Sequence, residues 1–423
     1  MAKRMKPSPR SAVIVGTDAV SPLGTDLAVQ WNRLCAGESG IGPLTRFAVD
    51  DAFPVKVAGQ VPKFDPAPFP FLSPRKMALW PSPIFPHALL VAHRALLASG
   101  IEIDPVLAAK TAVTFSSAVG GQDAVLEADR RMIADHKLPP PYANPNSCIN
   151  MVGGKISVLT GATGPILSTI TACATGLTSV IVGAMLIADG SADVAICGAA
   201  DFCLVAPIVA GFATMNGAFQ DKPGADPASP AEASRPFSSH RRGFVVSEGA
   251  GVVILAAKEF ADAHGIAIRA AIAGWAMTSD AHHYVAPHFP TVTRCIAESI
   301  AHAGISPREI ASVNAHAAST KVGDQVEFEA LQAVFGNRIP PVTANKSMIG
   351  HAMGASSAIE TIFAVEAMDC GILPPTINYR PDPQIDVDCA AEGARALDQP
   401  FVLKNAFGFG GANACVVLRG MDR

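Results

Sequence analysis

Charge is scarce in this chain: 16% of its 423 residues are Asp, Glu, Lys or Arg, against 49% hydrophobic. Most of the chain must therefore be buried, in a large core or a subunit interface. Its length suits two or three average domains, or one large α/β unit built from two halves. A net charge of −4 gives no general attraction to nucleic acid or to a membrane surface, so any basic docking site has to be local. No two of the nine cysteines (Cys35, Cys148, Cys173, Cys197, Cys203, Cys295, Cys370, Cys389, Cys415) are spaced C-x-x-C, and their number is odd. That excludes a disulfide or zinc framework and reads as buried thiols of a reducing compartment. The start, "MAKRMKPSPRSAVIVG", is basic with no long apolar stretch behind it, so it is not read as a signal peptide. No run reaches the ~18 apolar residues that span a bilayer. The expectation is a cytoplasmic protein without a membrane span. Repeats of the solenoid kind are absent, and so are the common ligand loops. "GGKIS" (153–157) lacks the first glycine of a phosphate loop, Asn413 stands where a dinucleotide motif needs glycine, and "HHYVAPH" (282–288) lacks metal spacing, so no metal is expected.

What is present alternates between strand and helix. Residues 1–10 read as a flexible basic tail, and "SAVIVGTDAVSPLG" as a short buried strand with a glycine turn. An amphipathic helix, "DLAVQWNRLCAGESG", follows. Residues 62–86 hold eight prolines, which rules out a long regular element there. "KTAVTFSSAVGG", "ADVAICGAAD" and "AGVVILAA" read as buried strands, and residues 221–240 as a polar loop. A second half begins near "IAIRAAIAGWAMTSD". It carries three strand-then-loop units ("ASVNAHAAST", "PPVTANKSMIGH", "FVLKNAFGFGGANACVV") with helical patterns between them. Short apolar strands alternating with helices indicate α/β architecture with buried sheets, divided as 11–262 and 263–423. Whether the halves are a duplication cannot be read by eye.

Cys173, in "TITACATGLTSV", falls between an expected strand, "PILSTITA", and an expected helix ending at Gly190. A helix N-terminus stabilises a thiolate and would lower its pKa from about 8.5. The small neighbours Ala172, Ala174 and Gly176 would leave room for a thioester carbonyl, as at a nucleophile elbow. The competing role is a small buried apolar residue. His316 and His351 lie at strand ends or loops beside small residues, where open α/β sheets bind ligands, with Lys346 five residues before His351. Alone, each is more often a hydrogen-bonded structural histidine; together with Lys346 and a cysteine at an equivalent strand end, the balance turns to chemistry. "NAFGFGGANA" (405–414) could bring backbone N–H groups to a substrate oxygen around Phe409, or form a tight turn. Asp324 and Glu327 fit a capping pair opening a helix.

Taken in order, "TACATG", "VNAHAAST", "NKSMIGH" and "NAFGFGGAN" resemble the β-ketoacyl-acyl-carrier-protein synthases, the elongating condensing enzymes (synthase I/II type) of the thiolase superfamily. "SRPFSSHRRGFVVSEGAGVVIL" and "ILPPTINYRPDP" are similar to further signature stretches, and the likeness runs from about Ala12 to Leu418. It implies a thiolase fold, two related α/β halves in five αβαβα layers, usually as a homodimer. Cys173 would accept an acyl group, and His316 and His351 would donate hydrogen bonds to a malonyl thioester as it loses CO₂. Lys346 would keep the imidazoles neutral by charge repulsion and orient His316. The N–H groups of Cys173 and Phe409 would form the oxyanion hole, with Phe409 gating the acyl pocket. Thr320, Ala318, Val119, Gly408 and Gly410 would contact substrate, and Asp324, Glu327 and Glu360 would brace the site. Substrates would arrive on the phosphopantetheine of an acyl carrier protein, with no cofactor of the enzyme's own. A basic patch for that carrier would include Arg75, Lys76, Arg130 and Arg131.

Three departures from the family pattern point to a dedicated carrier or an unusual acyl chain. Ala318 replaces the threonine that normally holds the pantetheine arm, residues 74–86 are proline-rich, and Asn216 lies near where an arginine is usual at the entrance. Two other readings remain open at this stage. A chain-length-setting subunit of a heterodimer would lack Cys173. A degradative thiolase would want a cysteine in the C-terminal glycine loop, and Cys415 lies beyond it in a strand.

Overall fold

The computed structural model describes residues 10–220 and 229–421. Residues 1–9 of the expected tail and 221–228 of the expected polar loop lie outside it. Ten strands form the main sheet. In the first half they are β1 (Ala12–Val20), β2 (Thr111–Ser116), β3 (Ile166–Leu167), β4 (Val194–Phe202) and β5 (Glu248–Ala257); in the second they are β6 (Ala270–Ser279), β7 (Ser312–Asn314), β8 (Val342–Thr343), β9 (Phe401–Gly408) and β10 (Ala412–Gly420).

The first half has the order β3-β2-β4-β5-β1 and the second β8-β7-β9-β10-β6, the same permutation in each. The senses match too. The first three strands of each order are mutually parallel, and the last two joins are antiparallel. The duplication that the sequence hid is plain in the topology. A short join at Val13–Ala271 and Ile14–Ala270 makes the two sheets continuous.

Helices α1 (Ile84–Ser99), α2 (Thr175–Ala188), α3 (Phe289–His302), α4 (Lys321–Phe335) and α5 (Met353–Cys370) complete the layers. α1 packs on β1 and β5 outside the first sheet, and α3 packs on β6 and β10 outside the second, with α4 beside it. α2 and α5 pack against each other between the sheets, giving the five-layered thiolase fold. Sheets covered on both faces explain why β1, β4 and β5 are buried along their whole length and read as continuous apolar runs.

The proline-rich segment forms only two short turns, Pro70–Leu72 and Pro74–Met77, before α1 begins. One expected strand is largely missing. Of residues 165–172 only Ile166–Leu167 forms strand, and the chain runs without regular structure through 168–171 into the short 3₁₀ turn Ala172–Ala174.

Candidate active site

Cys173 sits in that 3₁₀ turn, immediately before α2, and the turn packs against α5, β9 and β10. Its predecessor Ala172 takes φ +47°, a left-handed conformation that costs a non-glycine residue about 1–3 kcal/mol and is held there by its surroundings. Thr175 pins the turn: its hydroxyl donates to Ala172 O at 2.7 Å and accepts from Thr171 N at 3.0 Å. The small neighbours serve packing more than substrate. A Cβ on Gly176 would stand 2.5 Å from Ala358 N on α5, and Ala174 is fully buried in the core between the sheets. Those side chains are small because two central helices meet there.

His351 lies one residue before Ala352, the N-cap of α5, and turns its Nε2 to within 3.0 Å of Cys173 Sγ. Ser356 Oγ accepts from Ala352 N at 2.7 Å and faces His351 Nδ1 at 3.0 Å. A hydroxyl hydrogen given to Nδ1 leaves the imidazole proton on Nε2, pointing at the sulfur. His316, two residues beyond β7, stacks edge-on against His351 with ring centroids 5.7 Å apart. Both imidazoles are held well below the usual histidine pKa. Burial is the larger cause, followed by the positive charge of Lys346, with Lys404 adding to it. Lys346 thus supports neutrality but is not its main source. It also holds His316 through the backbone, its Nζ donating to His316 O and to Glu360 Oε1, both at 2.6 Å.

The expected depression of the Cys173 pKa does not occur. Burial pushes the thiol up to about 11, outweighing the Lys346 charge and the N–H groups of Phe409 and Cys173 that face the sulfur. At neutral pH Cys173 therefore rests as a thiol. Alkylation of Cys173 by iodoacetamide is therefore expected to accelerate by about a hundredfold from pH 7 to pH 9 without levelling off, since the rate follows the thiolate fraction. A plateau below pH 8 would contradict this.

The Phe409 loop comes close to Cys173 because Gly408 has no side chain. A Cβ there would stand 2.3 Å from Thr171 O and 3.2 Å from Cys173 N. Gly408→Ala is expected to displace the loop, costing ~1–3 kcal/mol of stability and slowing acylation; calorimetry and acyl-transfer rates check both. Gly410 takes φ +80°, and its N–H donates to Tyr284 O at 2.8 Å, so it shapes the turn and does not line the cleft.

A cleft of about 540 Å³ opens onto Cys173, His316 and His351. Ala318, Thr320, Gly408 and Phe409 line it as well, and so does Asn216. Val119 is not on the lining; it lies in the same apolar cluster as Phe409, Ala318 and Met353. Asp324 and Glu327 do not act as a simple capping pair. Thr320 is the N-cap of α4, its hydroxyl accepting from Gly323 N at 3.2 Å. Asp324 accepts from Thr320 N at 3.1 Å and from Phe237 N at 2.8 Å. Glu327 reaches back to the loop after β7 and accepts from His316 N at 2.9 Å and Ala317 N at 2.7 Å.

Sequence reasoning missed four contributors. Lys404 is fully buried on β9 with Nζ 2.7 Å from Glu360 Oε2, and a lone lysine in the run "FVLKNAF" is the signal that marks it. Asp201 ends β4 beneath the site and accepts from Ser117 Oγ at 2.6 Å and from Val119 N at 2.9 Å. The second part of the expected polar loop is buried: Ser234 Oγ donates to Lys346 O at 2.7 Å, and Arg235 N donates to Ser319 Oγ at 2.9 Å. Arg242 lines the cleft, its guanidinium over the Phe219 ring at 4.7 Å, and puts a cation on the cleft wall with Asn216.

A doubled αβαβα body with a buried cysteine at a helix start defines an acyl-transferring enzyme of the thiolase kind. The chain belongs to the β-ketoacyl synthase family: the models of the beta-ketoacyl synthase N-terminal and C-terminal domains match residues 10–261 and 269–380. It is 35% identical to the 3-oxoacyl-[acyl-carrier-protein] synthase 2 of Coxiella burnetii, over 97% of this chain and 98% of that protein. Among solved structures it resembles AntDE:AntF, a type II polyketide acyl-carrier protein in complex with its ketosynthase bound to the hexaketide. That likeness has a TM-score of 0.89 at 26% identity, over 98% of this chain and all of that one. The ishigamide ketosynthase/chain length factor matches with TM-score 0.88 at 29% identity, over 98% of this chain and all of that one.

Proposed function

We propose that this chain carries out decarboxylative Claisen condensation with Cys173 as nucleophile, in fatty-acid or polyketide-like synthesis. The observation that carries the reading is the arrangement of His351 Nε2 at 3.0 Å from Cys173 Sγ, with His316 beside it and both imidazoles neutral. In the first half-reaction the Cys173 sulfur attacks an acyl thioester on a carrier, and the thiol proton leaves on the departing pantetheine sulfur. The N–H groups of Cys173 and Phe409 receive the tetrahedral oxyanion. In the second, a malonyl thioester loses CO₂ while His316 and His351 donate to its carbonyl oxygen as the enolate forms. The enolate carbon attacks the acyl-Cys carbonyl, Cys173 leaves as thiolate, and one proton is taken up overall. Decarboxylation itself supplies the carbanion, so the chemistry needs no resident cofactor beyond the carrier's phosphopantetheine. Thr320 and the apolar wall at Ala318 would guide that arm, and Phe409 would close the acyl pocket.

Mass spectrometry of the chain after incubation with an acyl carrier protein tests the reading. An adduct of acyl mass on the Cys173 peptide supports it, and an unmodified chain after exposure to acyl carriers of short, medium and long chain contradicts it.

The carrier surface we assign is the basic patch of Arg75 and Lys76 on Pro74–Met77 with Arg130 and Arg131 on the helix Gln122–Ala134. Ser82 Oγ, 2.8 Å from Asp123 Oδ1, ties the two segments together. None of the four lines the catalytic cleft, so reversing their charges is expected to raise KM for the acidic carrier while leaving kcat for a small thioester mimic unchanged. Steady-state kinetics with both substrates checks this.

A homodimer through the β3 edge is the assembly the exposed residues favour. Ile166 and Leu167 lie open there, with Val158, Ile170 and Met185 exposed nearby, and an open apolar sheet edge calls for a partner. A heterodimer with a chain-length subunit would use the same edge. The described cysteines form no disulfide, which fits the reducing cytoplasm as the compartment. No helix of the described residues is long and apolar enough to cross a membrane.

A further inference from the structure

Beneath the two histidines, one carboxylate is shared by two ammonium groups. Glu360 on α5 receives Lys346 Nζ on Oε1 at 2.6 Å and Lys404 Nζ on Oε2 at 2.7 Å, and all three side chains are at most 1% exposed. Lys404 completes its shell with Asn405 O at 2.8 Å and Ala315 O at 3.4 Å, the latter in the residue before His316. The charged and titratable groups facing Lys404 are Glu360, Lys346, Glu327, His316, His351 and Cys415. Glu327 spends its carboxylate on the His316 and Ala317 N–H groups and on Asn405 Nδ2 at 3.1 Å.

Stability gives no reason for this lysine. Burying an ammonium is costly, and an apolar side chain of similar volume on a strand between Leu403 and Ala406 is often neutral or better. We propose that Lys404 is a positioning residue for the condensation step. By occupying half of the Glu360 carboxylate it leaves Lys346 incompletely neutralised, and the two ammoniums together keep His316 and His351 as neutral N–H donors and favour negative charge on the substrate above them. The inference rests on the condensing reading of the site.

A pH signature follows. Burial and the neighbouring Lys346 lower Lys404 to about 8, so its charge is present below that pH and lost above it. The histidines are needed neutral, and their depressed pKa values keep them so well into the acid range. In the full-length wild-type enzyme the kcat of condensation, measured with acyl and malonyl carrier proteins, is expected to fall as pH rises through about 8 and to persist below pH 6. Lys404→Met is expected to lose the step near pH 8, with kcat at pH 7 already about tenfold down, at the level the wild type reaches above pH 8, and to move the acid limb up only modestly, because burial and Lys346 still hold the histidines low; KM should change little. Lys404→Arg, whose charge does not titrate, is expected to lose the step near pH 8 yet keep the wild-type acid limb.

A folded Lys404→Met enzyme with the wild-type profile on both limbs overturns the proposal. If neither variant folds, a wild-type profile flat from pH 7 to 9.5 overturns it. A wild-type enzyme that fails to condense at any pH overturns the condensing reading itself, and the role of Lys404 with it.

Discussion

Cys173→Ala is expected to abolish acyl-enzyme formation. The intact mass of the variant should show no acyl adduct after incubation with any acyl carrier, under conditions in which the wild type is labelled stoichiometrically. The physical ground is positional. Six of the nine cysteines are buried, but Cys173 is the one that pairs burial with a cleft, two backbone N–H groups and an imidazole at 3.0 Å. Cys197 and Cys203 lie in or beside β4 with burial pushing their thiols up, and the cleft does not reach them. Nor does Cys415, buried in β10, stand where a second thiol nucleophile would be needed. A persisting adduct on Cys173→Ala would place the nucleophile elsewhere. Alanine fits the turn, since Ala172 and Ala174 already do, so a folding defect is not expected to obscure the result.

His316→Ala is expected to separate the two half-reactions. Acylation should survive, because the imidazole contact to the thiol is made by His351 and not by His316. Condensation should fall by about 10²–10³, the usual effect of removing one donor from a developing oxyanion. The loss belongs in kcat with malonyl carrier, and the acyl-enzyme should accumulate. Equal loss of both steps would contradict the division of roles. The Glu327 brace binds the His316 backbone and not its ring, so the loop should keep its place in the variant.

The residues that meet at the cleft were legible in the sequence because each sits where a buried run stops. Cys173, His316 and His351 are the first functional groups after or before long apolar segments, and the glycine loop around Phe409 carries its own signature. Strands β1, β4 and β5 were legible for a related reason, since helices cover both of their faces. What stayed hidden depends on contacts between distant segments. Lys404 and Glu360 are 44 residues apart and meet only across β9 and α5. The smallness of Gly176 looked like room for substrate, yet α5 takes that space. The Cys173 pKa was misjudged because a helix start argues for a thiolate, while the burial that opposes it is not a property of the local sequence. The residues alone do not show the repeated strand order, because the two halves share topology without an obvious repeat of residues; the family resemblance is what implied two related halves.

The central claim, that an acyl group on Cys173 is discharged by a decarboxylated malonyl unit, is tested most directly by a single turnover. Acylated enzyme, freed of excess acyl carrier, is mixed with malonyl carrier protein. Loss of the Cys173 adduct, release of CO₂ and appearance of β-ketoacyl carrier are then followed together. One CO₂ and one β-ketoacyl carrier per Cys173 discharged is the predicted result. Discharge of the adduct as free acid, or CO₂ released with the Cys173 adduct left intact, would contradict it.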